Sequence, residues 1–367
     1  MPNHSSDSTP YRFHRTALMP LLPDATAADM EQAAARAVEL GATAFADFLH
    51  QQDLAPQWDD CIERYPGQLS LTAEFIHLMH QARLHATGHY LIQRHNLAHI
   101  RQILDAEGVI HVVTKGAHTR EVYYQIPALR PATDIDVLVR PVDRLRAIRA
   151  FQAQGFAFYG AVENIAQDCS LVKGKTDLDL HWDILRPGRT RRPMVETLLE
   201  SRVDYSSHWG LDHAATLFLM LVHPVFRKYS TTPHATLVRL VDLALLLDRH
   251  PDAMAETERL LDMAGLRTAG WITSQWLHLL TGNAVAAELC ARLCTGNRPG
   301  PLRRWWLRSW LRHDWSSKLL HRPWLIQLGF TLPAHDRWTD AARAVRMARE
   351  CRKDAAKSLD LLEAQLS

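Results

Sequence analysis

Along the first hundred residues the apolar positions recur at helical spacing. Ala25–Leu49 and Leu69–Leu104 carry Ala, Leu, Met and Phe every three or four residues with few breakers, which predicts helices packed on another layer. The period then changes. Val109-Ile110-His111-Val112-Val113 is a short β-branched run that ends in Thr114-Lys115-Gly116, ahead of a segment able to form a helix; strand, glycine turn and helix N-terminus form one unit. Asp134–Val139 predicts a second strand, Pro141 opens a helix to Gln154 that Gly155 ends, and Phe156–Tyr159 begins another strand. In Asp177–Trp182, Asp177, Asp179 and His181 share one strand face and Leu178, Leu180 and Trp182 the other. From Leu211 onward the pattern is helical, with apolar stripes over Ala214–Val222, Ala235–Leu247, Ala253–Ala264 and Trp271–Leu280.

This alternation predicts an α+β fold: a small mixed-sheet core between a helical N-terminal segment and an α-helical C-terminal domain. The expected units are a loose leader over 1–24, rich in Ser, Pro and His, helices over 25–108, the sheet core over 109–210 and helices over 211–367. A chain of 367 residues with 47% hydrophobic content can bury a full core. Its formal charge of +2 gives no global pull toward nucleic acid, so any basic surface must be local. The five cysteines are scattered and odd in number, which suits reduced thiols, with Cys290 and Cys294 read as small apolar residues on one helix face. Met1–Thr9 has no apolar core of signal-peptide length and no apolar run is long enough to span a bilayer, so a soluble cytoplasmic protein is expected.

The candidate chemistry lies in the second strand. Asp134 and Asp136 point the same way while Ile135, Val137 and Val139 point the other. Two like charges at the end of an apolar strand are costly unless something positive sits between them, and a divalent metal is the simplest candidate. Asp179 supplies a third acid. The plainer readings are a solvated strand-end pair for Asp134 and Asp136, a salt bridge to Arg130 or Lys173 for Asp179, an exposed strand-entry residue for Asp177 and a hydrogen-bonded core histidine for His181. No Gly-x-Ser-x-Gly elbow surrounds a serine, and His223 and His234 have no partner at zinc-ligand spacing. Two basic stretches remain. Arg186–Pro193 is a loop following the Asp179 strand, and in Arg303–Arg312 arginines interleave with tryptophans. For that helix a core-facing amphipathic role is the default, beside a membrane-surface patch and an aromatic-basic nucleic-acid face.

Lys115-Gly116 after an apolar strand, Arg130 before Asp134-Ile135-Asp136, Asp179-Leu180-His181-Trp182, and Arg239-Leu240-Val241-Asp242-Leu243 in an apolar helix resemble the poorly characterised nucleotidyltransferase-like family of the polymerase β type superfamily. The likeness spans Leu97 to Leu247. It implies that Asp134, Asp136 and Asp179 are catalytic and bind Mg²⁺ (or Mn²⁺), that Gly116 marks the phosphate-approaching turn, and that Lys115 and Arg130 add charge to the phosphates of an NTP such as ATP. His181 would contact ligands or substrate from the same face. The departure is Ala117, where the superfamily usually has Gly or Ser after the turn glycine. Relatives beside biosynthetic gene clusters imply transfer of an NMP group to a small-molecule or peptide acceptor. The alternatives are a polynucleotide-modifying enzyme and a non-catalytic binding or scaffold protein on the same fold.

Overall fold

The computed structural model describes residues 11–65, 69–161, 164–295 and 299–366. Among the described residues five α-helices precede the sheet: α1 (Arg12–Leu18), α2 (Ala27–Leu40), α3 (Ala42–Gln51), α4 (Ala55–Arg64) and α5 (Ala73–Ala106). Of the expected loose leader, residues 1–10 lie outside the described residues. From Tyr11 onward it is helical and packed: Tyr11 and Leu18 are buried, and the Tyr11 hydroxyl donates to the Leu311 carbonyl. The single helix expected over Ala25–Leu49 is two, because Gly41 takes a φ of +92° that only glycine adopts freely. Thr72 starts α5 by accepting from the Phe75 N–H, an N-cap that satisfies one of the helix's free donors.

Among the described residues seven strands follow: β1 (His111–Thr114), β2 (Ile135–Val139), β3 (Ala157–Tyr159), β4 (Asp168–Lys173), β5 (Thr176–His181), β6 (Arg202–Asp204) and β7 (Trp209–Leu211). They form one mixed sheet in the order β3-β4-β5-β2-β1-β7-β6, with β2–β5 and β1–β7 parallel. The sequence pattern did not announce β4, β6 or β7. β6 is exposed throughout, and three residues are too few to display a period. The short helices α6 (Lys115–Tyr123), α7 (Arg144–Ala153) and α8 (Val195–Glu200) connect the strands. One sheet face is apolar. Val113, Ile135, Val137, Leu178 and Leu180 pack there with Leu97, Ile100 and Leu104 of α5 and with Ile148 and Phe151 of α7.

The rest of the chain is helical: α9 (His213–Arg227), α10 (Val238–Arg249), α11 (Ala253–Ala264), α12 (Arg267–Thr281), α13 (Ala284–Leu293), α14 (Pro301–Arg312), α15 (Trp315–Lys318), α16 (Pro323–Ile326) and α17 (Trp338–Leu366). α9 begins where the sequence changes character, with the Asp212 carboxylate accepting from the Ala215 N–H. The N-terminal and C-terminal helices share one core: Leu18, Phe45, Trp58 and Phe75 belong to the same cluster as Phe218, Val241, Trp271 and Ile272. This helical layer lies against the other side of the sheet, where Val112 and Leu138 join its core. The Arg186–Pro193 loop braces α17: Arg191 Nη2 lies 2.8 Å from Asp340 Oδ2. Among the described residues no helix is long and apolar enough to cross a membrane.

Burial keeps several histidines neutral. His118 and His208 contact each other at 3.0 Å between ring nitrogens in the seam between α6 and the turn before β7, and His335 sits beneath Phe226. Desolvation lowers the pKa of His208 and of His335 to about 4, and that of His118 well below the ordinary value. The unfolded chain therefore takes up protons near pH ~6.5 that the folded one refuses, so stability falls as pH drops through that value toward 4, by roughly 1.4 kcal/mol per pH unit for each such histidine. Chemical denaturation across that range should show this slope, and His208→Gln should make it shallower.

Candidate active site

Strand register places the polar residues of β1, β2, β5 and β4 in two rungs on one face. Thr114 pairs with Asp136, Asp136 with Asp179, and Asp179 with Ser170. On the next rung of that face Leu138 pairs with His181 and His181 with Asp168. The Ser170 hydroxyl donates to Asp179 Oδ1 at 2.7 Å. His181 stands between two carboxylates, with Nε2 2.8 Å from Asp136 Oδ1 and Nδ1 3.4 Å from Asp168 Oδ2. Lys115 Nζ donates to Asp136 and lies 3.2 Å from His181 Nε2. To start α6 there, Lys115 takes a φ of +53°, a left-handed conformation that L-residues enter at a cost.

The charges explain one another. Burial by itself raises the Asp136 pKa, but Lys115 and His181 outweigh it and hold this carboxylate far below its ordinary range. For His181, burial and the Lys115 ammonium oppose protonation, yet the bonds to Asp136 and Asp168 prevail and raise its pKa. Asp134 is pushed the other way, by the neighbouring Asp136 charge first and burial second. Arg227 of α9, with Nη2 3.4 Å from Asp168 Oδ2, closes the series from the helical layer.

Of the residues expected from sequence, Asp136, Asp179 and His181 form a group whose potential ligand atoms all lie within 4.8 Å of one another. Asp134 stands one residue before β2, outside that group, and its Oδ1 accepts from the Thr133 hydroxyl at 3.3 Å. Arg130 is committed elsewhere. Its Nη2 lies 2.7 Å from Asp242 Oδ2 of α10 in a buried pair, and Nη1 donates to the Pro131 carbonyl. The Tyr124 hydroxyl also donates to Asp242, at 2.7 Å. Gly116 makes room for this arrangement, since a Cβ there would meet Arg130 Nη1 at 2.2 Å. The glycine thus answers a packing demand from Arg130. Asp177 is exposed, as a strand-entry residue should be.

Of the helical layer's contribution, sequence reasoning discounts His223 as a zinc ligand and takes Arg239 only as part of the family resemblance; it misses Arg227 and Lys228. A small cavity beside Lys115 and Gly116 is lined by His223 of α9 and by Arg239 of α10. Arg239 Nη1 donates to His223 Nδ1 at 3.4 Å, and its Nε has no hydrogen-bond partner among the described residues. Burial lowers the Arg239 pKa, and burial followed by repulsion from Arg239 and Arg227 lowers that of Lys228. Each cation also feels the Asp134 charge. His223 and Arg227 fall one turn apart on α9, a spacing common to helices at large, so the sequence held no distinctive signal for them.

Two carboxylates and an imidazole with converging donor atoms fit a divalent cation, and the nitrogen favours Mn²⁺ over Mg²⁺. A cation held by Asp136 would take over the compensation that Lys115 supplies. A second group, Asp59, Glu63 and His80, lies on α4 and α5, where Arg83 pairs with both acids. Residues 39–281, well over half of the chain, match a family described as an uncharacterised nucleotidyltransferase, and the chain belongs to that family. No curated protein matches it.

The buried Arg130–Asp242 pair predicts a contrast. Asp242→Ala strands an arginine in the interior and should cost about 3–5 kcal/mol of stability. Lys115→Ala should cost less, because its side chain is part-exposed and Asp136 keeps His181. Urea denaturation of the two variants measures the difference.

Proposed function

We propose that this member of the uncharacterised nucleotidyltransferase family moves a nucleoside monophosphate from an NTP to a small-molecule or peptide acceptor with the help of a divalent metal. The observation that carries the reading is the rung pairing of Asp136 with Asp179 on adjacent parallel strands, beside His181 and facing a cluster of cations. Asp136 and Asp179 would hold Mg²⁺ or Mn²⁺, with His181 or Asp134 completing the donor set. When bound, such ions activate an attacking oxygen and stabilise the departing pyrophosphate. The chain's own groups do the rest. Arg239 and Lys228 attract the triphosphate, and Lys115, on the edge of the same cavity, adds a third positive charge. Asp134, with its raised pKa, and Asp179, oriented by Ser170, are the carboxylates placed to take the acceptor's proton.

A pocket of about 490 Å³ supports a small acceptor. It lies against α5 and the Pro131–Thr133 segment that precedes Asp134 in the chain, with Asp177 in its wall. That volume is within the roughly 300–1,000 Å³ of small-molecule sites. The five unpaired cysteines favour a reducing, cytoplasmic setting. One observation favours a non-catalytic fold instead: Lys115 and His181 already satisfy Asp136 without a metal.

Stability in the presence of each NTP, with Mn²⁺ or Mg²⁺, separates the two readings. A ligand at 100 times its dissociation constant adds about 2.7 kcal/mol. The expected result is a metal-dependent gain with at least one NTP, lost in Asp179→Asn; a gain with none would give the site to the non-catalytic reading. Arg239→Gln should weaken the responding NTP by about 10- to 100-fold, as loss of a charged hydrogen bond does, while leaving Mn²⁺ affinity unchanged.

A further inference from the structure

Six of the chain's eleven tryptophans fall between Trp305 and Trp338, on α14 to α17. Trp310 is buried, but Trp305, Trp306, Trp315, Trp324 and Trp338 are 43–64% exposed, and no other tryptophan among the described residues is so exposed. The expectation that α14 turns its tryptophans to the core holds for Trp310 alone. Its inward positions are filled by Leu307, Trp310 and Leu311, which leaves Leu302 and Trp305 on the opposite side three residues apart, with Trp306 on the flank between, its ring centre 5.9 Å from that of Trp310. The Trp306 indole N–H donates to the Gly329 carbonyl at 2.6 Å, which ties α14 to the segment where Leu328 is 58% exposed. Trp324 precedes Leu328 by one turn, and Trp338 carries the Arg303 guanidinium 5.0 Å from its ring centre.

The charge around this patch is one-sided. Residues 301–338 hold seven Lys and Arg against two Asp, in a chain whose formal charge is only +2. Arg304, Arg308, Arg312, Lys318, Arg322 and Arg337 make no ion pair with a carboxylate among the described residues; Arg308 donates to the Gln275 side-chain carbonyl and Lys318 lies over the Trp315 ring. An apolar patch of this kind on a globular surface marks an interaction site, and its basic surround calls for an anionic partner. Between a bilayer and a nucleic acid the leucines decide. Bases stack on aromatic faces but give Leu302 and Leu328 little, whereas acyl chains bury them, and tryptophan is the side chain of the headgroup boundary.

We propose that this face docks the protein on an anionic lipid bilayer. Leu302, Trp305, Trp306 and Leu328 enter the boundary between headgroups and acyl chains, and the surrounding arginines and Lys318 meet lipid phosphates. The proposal is independent of the nucleotidyl-transfer reading.

Sedimentation of the full chain with two kinds of vesicle tests it, one of phosphatidylcholine alone and one an equal mixture of phosphatidylcholine and phosphatidylglycerol. The expected result is binding to the mixed vesicles that weakens with salt, with a blue shift of tryptophan emission and little binding to the neutral ones. The double variant Leu302→Ser/Trp305→Ser touches no core position and should bind about tenfold more weakly or worse, with unchanged circular dichroism. Equal binding by that variant, or none by the parent, overturns the proposal. So does capture by a single-stranded oligothymidylate without vesicle binding, which would make the face a nucleic-acid surface. A concentration-dependent dimer that the same variant abolishes, again without vesicle binding, would make it a contact between two copies.

Discussion

A carboxylate fixed at the second position of a strand buried along its whole length is the constraint around which this protein is arranged. Asp136 cannot rotate into water, because β2 has neighbours on both edges and packed layers on both faces. Its charge must be answered locally, and the answer propagates. Lys115 accepts a left-handed backbone to reach it, and His181 is held between it and Asp168. Asp168 in turn draws Arg227 from α9. Alternating charges thus run from the turn after β1, across the sheet, into the helical layer. Each member is costly alone in a low-dielectric interior and stable only in the series.

The same demand ties the two layers together. Arg130 leaves the segment before β2 to pair with Asp242 of α10, and Gly116 is small because that guanidinium passes over it. The sheet's polar face is thereby held against α9 and α10, where Arg239 and Lys228 crowd cations toward Asp134 and Asp136. Fixed acids on the sheet thus face fixed cations on the helices, and this pairing is what the proposed reading rests on. The larger pocket along α5 is walled in part by Pro131, Ala132 and Thr133, the segment that leads into β2.

Lys115 and a divalent cation are competing solutions to one electrostatic problem, and this decides how far the sequence motifs could be read. Asp-x-Asp on an apolar strand correctly marked a place where positive charge was required. It did not say which positive charge. The answer depends on the backbone at Lys115 and on a histidine from another strand, which meet Asp136 only when the sheet forms. Gly116 and Arg130 were each expected at the phosphates; in the fold the glycine makes room for the arginine, and the arginine pairs with Asp242.

Local periodicity was enough to specify the α+β class, the apolar face of β2 and β5, α5 with its long stripe, and the start of the helical region at Asp212. Each follows from side-chain spacing along a single element, which the sequence records directly. It also placed Asp136, Asp179 and His181 on common strand faces, with Asp134 falling one residue before β2. What only the tertiary structure decided was everything set by register and packing between distant segments. That includes the rung that sets Asp136 beside Asp179, the shared core of the N- and C-terminal helices, the cations of α9 and α10, and which tryptophans of α14 meet solvent. Those outcomes depend on which elements become neighbours, and a one-dimensional pattern of polar and apolar residues carries the faces of its elements but not the partners those faces will meet.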